Sequence, residues 1–153
     1  LLFYILLILF TILASSTLSY ALPEFRGVWI DIKSIPNTRD GIETMVKKLA
    51  SAHFNAILVE SFYLGKTIYP SEFLAQQGIT RQMESFEQSN FDPLAVFIEV
   101  AHRYNMQVHA WYDMFYVGLN QPGEILEKFP SWRSIQRNGI VGYIQGKTHL
   151  YWV

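Results

Sequence analysis

Three short runs of β-branched and aromatic residues, each parted from the next by a helical pattern, limit what this chain can fold into. They are "FRGVWIDI" (residues 25–32), "NAILVES" (55–61) and "MQVHAWYDMFYV" (106–117). Between the first two, Ile42, Met45, Val46, Leu49 and Ala52 recur at the spacing of one helix face. Between the second and third, "NFDPLAVFIEVAHRY" offers Asp92 as N-cap and Pro93 at the first helical position, where its missing N–H costs nothing. Leu94, Phe97, Ile98 and Ala101 are its expected buried stripe. Strands alternating with helices predict an α/β fold with a parallel sheet and right-handed crossovers. A doubly wound nucleotide-binding sheet would want a glycine-rich loop after its first strand. "DIKSIPNTRD" holds no glycine there, which favours the other architecture, a (β/α)8 barrel of which three units are readable.

The strands share a second pattern. Side chains at i and i+2 lie on one face. Gly27, Trp29 and Asp31 fall together, as do Ala56, Leu58 and Glu60, and as do His109, Trp111 and Asp113. Each set carries a carboxylate at or just past the C-terminal end of its strand. A strand covered by helices on both sides should be apolar on both faces. A polar face ending in acids instead suits the lumen of a barrel, whose C-terminal mouth holds the active site.

Two long segments border that mouth. Residues 62–90 separate the second strand from its helix, far beyond the roughly two to six residues usual for such loops. This segment includes Phe62, Tyr63, Tyr69 and Phe73, and is too apolar to be disordered. After the third strand, residues 124–129 form a candidate short helix stopped before Pro130.

The opening "LLFYILLILFTILA" is apolar and uncharged, and "SSTLSYA" follows it. It reads as part of a secretory signal, residues 1–21, with Ser19 and Ala21 flanking the cleavage position and the mature domain beginning at Leu22. An uncleaved N-terminal anchor is the alternative. The missing initiator Met and basic leader suggest that the sequence begins inside the signal. Secretion is therefore expected, with no stable membrane partner unless the leader is retained.

The 153 residues are 50% hydrophobic, enough for one domain core. The net charge is −1 with no basic run, which argues against nucleic acid. The chain has no cysteine, which excludes disulfides, thiolate metal sites and cysteine nucleophiles. Aromatic content of 16% suits a sugar-binding cleft, where flat rings stack on pyranose faces, and equally suits a large core.

Five stretches together resemble the glycosyl hydrolase-like 10 domain proteins. They are "EFRGVWID", "HFNAILVE", "IYPSEF", "FDPLAVFIEVAHRYNMQVHAWYD" and "FPSWRSIQRNG", in family order over residues 24–153. The resemblance implies a secreted (β/α)8 barrel acting on polysaccharide. It implies that "HLYWV" approaches a fourth strand, with a further acidic motif beyond, so that residues 22–153 are the N-terminal part of the domain. On that reading the chain alone leaves an open sheet edge, folds poorly and does not hydrolyse glycans. Two departures bear on ligand contacts. The family often has Gln and Arg after the second strand, where this chain has "LVESFY". It often has Asn and then Arg after the third, where this chain has "WYDMFYV".

Glycoside hydrolysis normally needs an acid paired with a base or nucleophile, both carboxyl groups. The catalytic candidates are Asp31, Glu60 and Asp113. Each has a plainer reading: a cap or a salt bridge to Lys33 for Asp31, a structural acid for Glu60, a turn-initiating residue for Asp113. The candidates for substrate binding are His109, Trp111, Trp29 and Tyr69. His109 equally suits a satisfied core histidine, Trp29 lumen packing, and Tyr69 a small core inside the loop. No third ligand is spaced to join His109 and Asp113, so neither metal nor cofactor is expected. Two functions fit: a glycoside hydrolase on an extracellular or cell-wall polysaccharide, and a non-catalytic barrel that binds such a glycan.

Overall fold

The computed structural model describes residues 24–153; the expected signal segment and its cleavage position lie outside them. The fold is α/β. Strand β1 (Gly27–Ile30) is followed by a 3-10 turn (Ile32–Ser34), helix α1 (Arg39–Ser51) and strand β2 (Ala56–Tyr63). Helix α4 (Pro93–Arg103) leads into β4 (Gln107–Tyr112). Both β1 and β4 run parallel to β2, which lies between them.

The core lies between this sheet and the two helices. Ile57 and Val59 of β2, Ile42 and Val46 of α1, and Phe97 of α4 are all fully buried in one cluster. Thr38 caps α1 by accepting from the Gly41 amide, and Asp92 caps α4 through the Ala95 amide. The solvent side of the helix pair carries ion pairs of Arg39 with Glu99 and of Arg103 with Glu43.

Two helix expectations need correction. Ile98 is 39% exposed; the buried stripe of α4 runs through Pro93, Val96, Phe97, Val100 and Ala101. "PLAVFI" is apolar on almost every side, so two overlapping stripes compete, and packing against β2 selects one. Ala52 lies past the last turn of α1 and is exposed.

At the start of the sheet, the Asn55 side chain joins the chain segments that enter two neighbouring strands. Its carbonyl oxygen accepts from the Arg26 amide at 2.8 Å, and its amide donates to the Glu24 carbonyl at 2.6 Å. These bonds hold the chain entering β1 against the chain entering β2. Asn55→Ala is expected to destabilise the fold by roughly 1–3 kcal/mol, because both backbone groups lose their partner. Chemical denaturation with an unchanged m-value checks this.

The segment between β2 and α4 is ordered. Strand β3 (Lys66–Thr67) pairs antiparallel with the end of β2, at the edge that β1 leaves free. Two short helices follow, α2 (Glu72–Gln76) and α3 (Glu84–Glu87). Buried Ile68 and Phe86 tie the segment into the main core, and Leu74 and Ile79 are buried outside that cluster. Gln82 is 2% exposed and its amide donates to the carbonyls of Ile68 and Phe91 at 2.7 and 2.6 Å.

Beyond β4 the chain departs from expectation. Strands β5 (Tyr116–Leu119), β6 (Tyr143–Gln145) and β7 (Thr148–Trp152) form a separate antiparallel sheet in the order β5-β7-β6. The stretch "HLYWV", read as the approach to a fourth strand, is itself part of β7 in this sheet as far as Trp152. Among the described residues, β4 pairs with β2 alone. The expected short helix is present as α5 (Gly123–Lys128). Gly123 has φ 75°, and a Cβ there would stand 2.3 Å from the Val117 carbonyl oxygen, so the turn from β5 into α5 requires glycine.

Helix α5 anchors the long segment through Glu124. Its carboxylate accepts from the Thr80 amide at 2.6 Å and the Thr80 hydroxyl at 2.7 Å, and lies 3.2 Å from Lys66 Nζ. Burial raises this carboxyl, but the Thr80 bonds and Lys66 outweigh it and hold it below its ordinary value. A depressed carboxyl stabilises the fold above its unfolded-state value and loses that effect as pH falls through its folded value. Glu124→Gln is expected to lower the thermal midpoint at neutral pH, with the gap to the native protein closing in acid. Paired melts across that range check it.

Candidate active site

Glu60 is the centre of the site. Ile57 and Val59 face the helices, so alternation turns Leu58 and Glu60 to the other face. The pairing register shifts between Glu60 and Phe62, and fully buried Ser61 occupies the irregularity. Bulges of this kind re-aim side chains, and this one ends the regular part of β2 just after Glu60. The carboxylate is 4% exposed and its Oε2 accepts from the Ile32 amide at 2.7 Å. It thus spans the C-terminal end of β1.

Burial pushes the Glu60 carboxyl above its ordinary value. The Ile32 amide opposes this, the charges of Asp113 and Asp31 add to it, and Lys33 opposes it. The three acids named from the sequence therefore come together at one end of the sheet, near enough to act on one another electrostatically. A buried carboxyl raised above its ordinary value, with other carboxyl groups beside it, is an arrangement that suits general acid catalysis.

The acids are not equivalent. Asp31 caps the 3-10 turn, its Oδ1 accepting from the Ser34 amide at 2.9 Å, so its plainer reading holds in the geometry. Lys33 acts on Glu60 instead of forming an ion pair with Asp31. Asp113 follows β4 directly, and its amide donates to the Phe62 carbonyl at 3.0 Å. Its carboxylate carries no structural bond among the described contacts.

Trp29 and Trp111 meet edge to face at 5.0 Å on the same side of the sheet as Glu60, and Trp111 pairs in register with Glu60. Trp29 is 61% exposed, so its ring is available to a ligand. His109 is exposed among the described residues; it bonds Gln107 at 3.2 Å and packs edge-on against Phe25. Tyr69 also lies apart from them, its hydroxyl 3.1 Å from that of Tyr112.

Two aromatic residues at the site, Tyr116 and Trp152, were not singled out from the sequence, and Tyr63 was named only as part of the long segment. Tyr63 packs edge-on against Tyr116 at 5.8 Å, and Tyr116 packs against Trp152 at 5.3 Å. Burial raises the Tyr63 hydroxyl, and the charges of Glu60 and Asp113 raise it further. Tyr116 is raised by burial, then by Tyr63 and Asp113. Tyr116 and Trp152 border a pocket of ≈ 330 Å³ with Asp113. Nothing local marks these rings, because only the second sheet brings β5 and β7 over the end of β4. Among the described residues no three His, Asp or Glu side chains gather as metal ligands.

The parallel strands β1, β2 and β4 thus carry carboxylates at or just past their C-terminal ends, beside exposed Trp29 and half-buried Trp111. The family model for glycosyl hydrolase-like 10 matches residues 24–153, and the chain belongs to that family. No curated protein matches it.

Proposed function

We propose that the protein is a secreted glycoside hydrolase acting on an extracellular or cell-wall polysaccharide, with β1, β2 and β4 as the first strands of a (β/α)8 barrel. The observation that carries this is Glu60: buried at a strand's C-terminal end, raised by burial, and beside Asp113 and Asp31. In this reading Glu60 is the general acid that protonates the glycosidic oxygen. Asp113 is its partner, following β4 directly and free of structural bonds. Trp29 and Trp111 stack on sugar faces beside the bond to be cut. Asp31 shapes the loop and the local charge. Family membership supports a hydrolase-related role.

The test uses protein expressed from its complete reading frame and incubated with purified polysaccharides. Reducing ends should accumulate, and Asp113→Asn should lower their release. The rate should fall as pH rises through the raised Glu60 value, because the acid must carry its proton. Saturable glycan binding with no release of reducing ends would instead give the site to a non-catalytic, glycan-binding protein.

A further inference from the structure

A second cavity, of ≈ 450 Å³, lies beside the carboxylate site, where the segment between β2 and α4 meets α5 and the chain leaving β4. Its floor is aliphatic, with Leu74, Ile79 and Val117 buried. Its walls are rings: Phe62 stacks with Tyr112 at 6.0 Å, and Phe129 stacks with Trp132 at 4.4 Å. At its mouth Phe73 is 69% exposed and Trp132 is 56% exposed. Large apolar side chains gathered around one opening are unusual on a protein surface and mark binding sites.

The polar groups here are few. Thr67 commits its hydroxyl to the carbonyls of Tyr69 and Arg81, and the Ser71 hydroxyl accepts from the Leu74 amide. Gln77 brings one side-chain amide to the lining. Tyr69 and Tyr112 face each other with hydroxyls 3.1 Å apart. In such a pair one hydroxyl donates to the other, which leaves one free O–H and free lone pairs. Burial pushes Tyr69 up to about 12, so its hydroxyl keeps its proton at working pH.

We propose that this cavity binds a planar aromatic group bearing one hydrogen-bonding oxygen. The flat ring lies between Trp132 and Phe73, and its oxygen meets the tyrosine pair. A bare sugar fits poorly, because most of its hydroxyls would be buried against aliphatic carbon without partners. A non-aromatic ring of equal size would forgo the stacking geometry of the walls. Tyr112, Met114 and Phe115 line this cavity and also border the pocket at Asp113, so the bound ring lies next to the carboxylates. An aryl substituent on a glycan would therefore be held beside the bond under attack. The binding claim itself does not depend on hydrolysis.

The test is calorimetric titration of the protein, expressed from its complete reading frame, with p-cresol, cyclohexanol and glucose. Saturable one-site binding of p-cresol is expected, several-fold tighter than cyclohexanol, with none for glucose. Trp132→Ala should weaken it about 3–10-fold through lost stacking. Tyr69→Phe should weaken it about fivefold through one lost hydrogen bond. Tyr104→Ala, on the far side of α4, should change nothing. Circular dichroism checks the fold of each variant, and Phe73→Ala replaces Trp132→Ala if the latter does not fold. Absent binding, equal affinity for cyclohexanol, or indifference to both the tryptophan and the tyrosine change overturns the proposal. So does a concentration-dependent dimer whose formation excludes p-cresol, which would give the cavity to a second copy of the chain.

Discussion

Glu60→Gln is expected to lower glycan hydrolysis by about 10²–10⁴-fold while leaving the fold at least as stable at neutral pH. The two effects share one cause. Glu60 is 4% exposed, and burial raises its carboxyl. A raised carboxyl favours the folded state below its unfolded-state value, and that contribution is lost as pH rises through the folded value. Above its unfolded-state value Glu60 therefore weighs against folding, and glutamine, which carries no charge, removes that cost. The glutamine carbonyl can still accept from the Ile32 amide, so the end of β1 keeps its anchor. Catalysis has no such substitute, because an amide cannot give up a proton to a leaving oxygen. Initial rates and thermal midpoints, measured in mild acid and at neutral pH, separate the two. Activity lost together with stability at neutral pH would mean that Glu60 is a structural acid.

Glu60 stood out in the sequence for a local reason. An acid closing the run "NAILVE" breaks a buried strand's own pattern, and rule-breaking residues gather at functional sites. The parallel order of β1, β2 and β4 was readable for a related reason: each strand is a compact β-branched run with an amphipathic helix between neighbours. The phase of α4 was not, because Leu94 and Ile98 are as apolar as Val96 and Val100. The role of Asp31 stayed open for want of geometry; a carboxylate after a strand can cap a turn or serve a site, and here the Ser34 amide takes it. His109 shares its face with Trp111, as the alternation implied, but its contacts are Gln107 and Phe25 toward the start of the strand. The second sheet was the least legible part. Its strands are three to five residues long, and β5 finds its partner β7 about thirty residues on. The bulge at Ser61 also left no local mark, though it sets where Glu60 points.

Phe97→Ala is expected to cost about 3–5 kcal/mol, the largest stability loss predicted here. Phe97 is fully buried in the cluster that joins α4 to α1 and β2. Its neighbours there include Ile42, Val46, Ile57 and Val59, all β-branched and stiff about χ1. They cannot swing inward to fill the space a ring leaves, so a cavity should remain and add to the lost burial. Against a typical domain stability of about 5–15 kcal/mol, the variant should melt roughly 10–20 °C lower. The site should suffer too, since Val59 packs in this cluster and Glu60 is the next residue along β2. Phe73→Ala provides the comparison: the same truncation at a ring that is 69% exposed should change stability by about 0.5 kcal/mol or less. Denaturant melts of the two variants measure the difference. Equal losses would mean that the helix pair and β2 do not share one core, and with that the placement of Glu60 above it would fail.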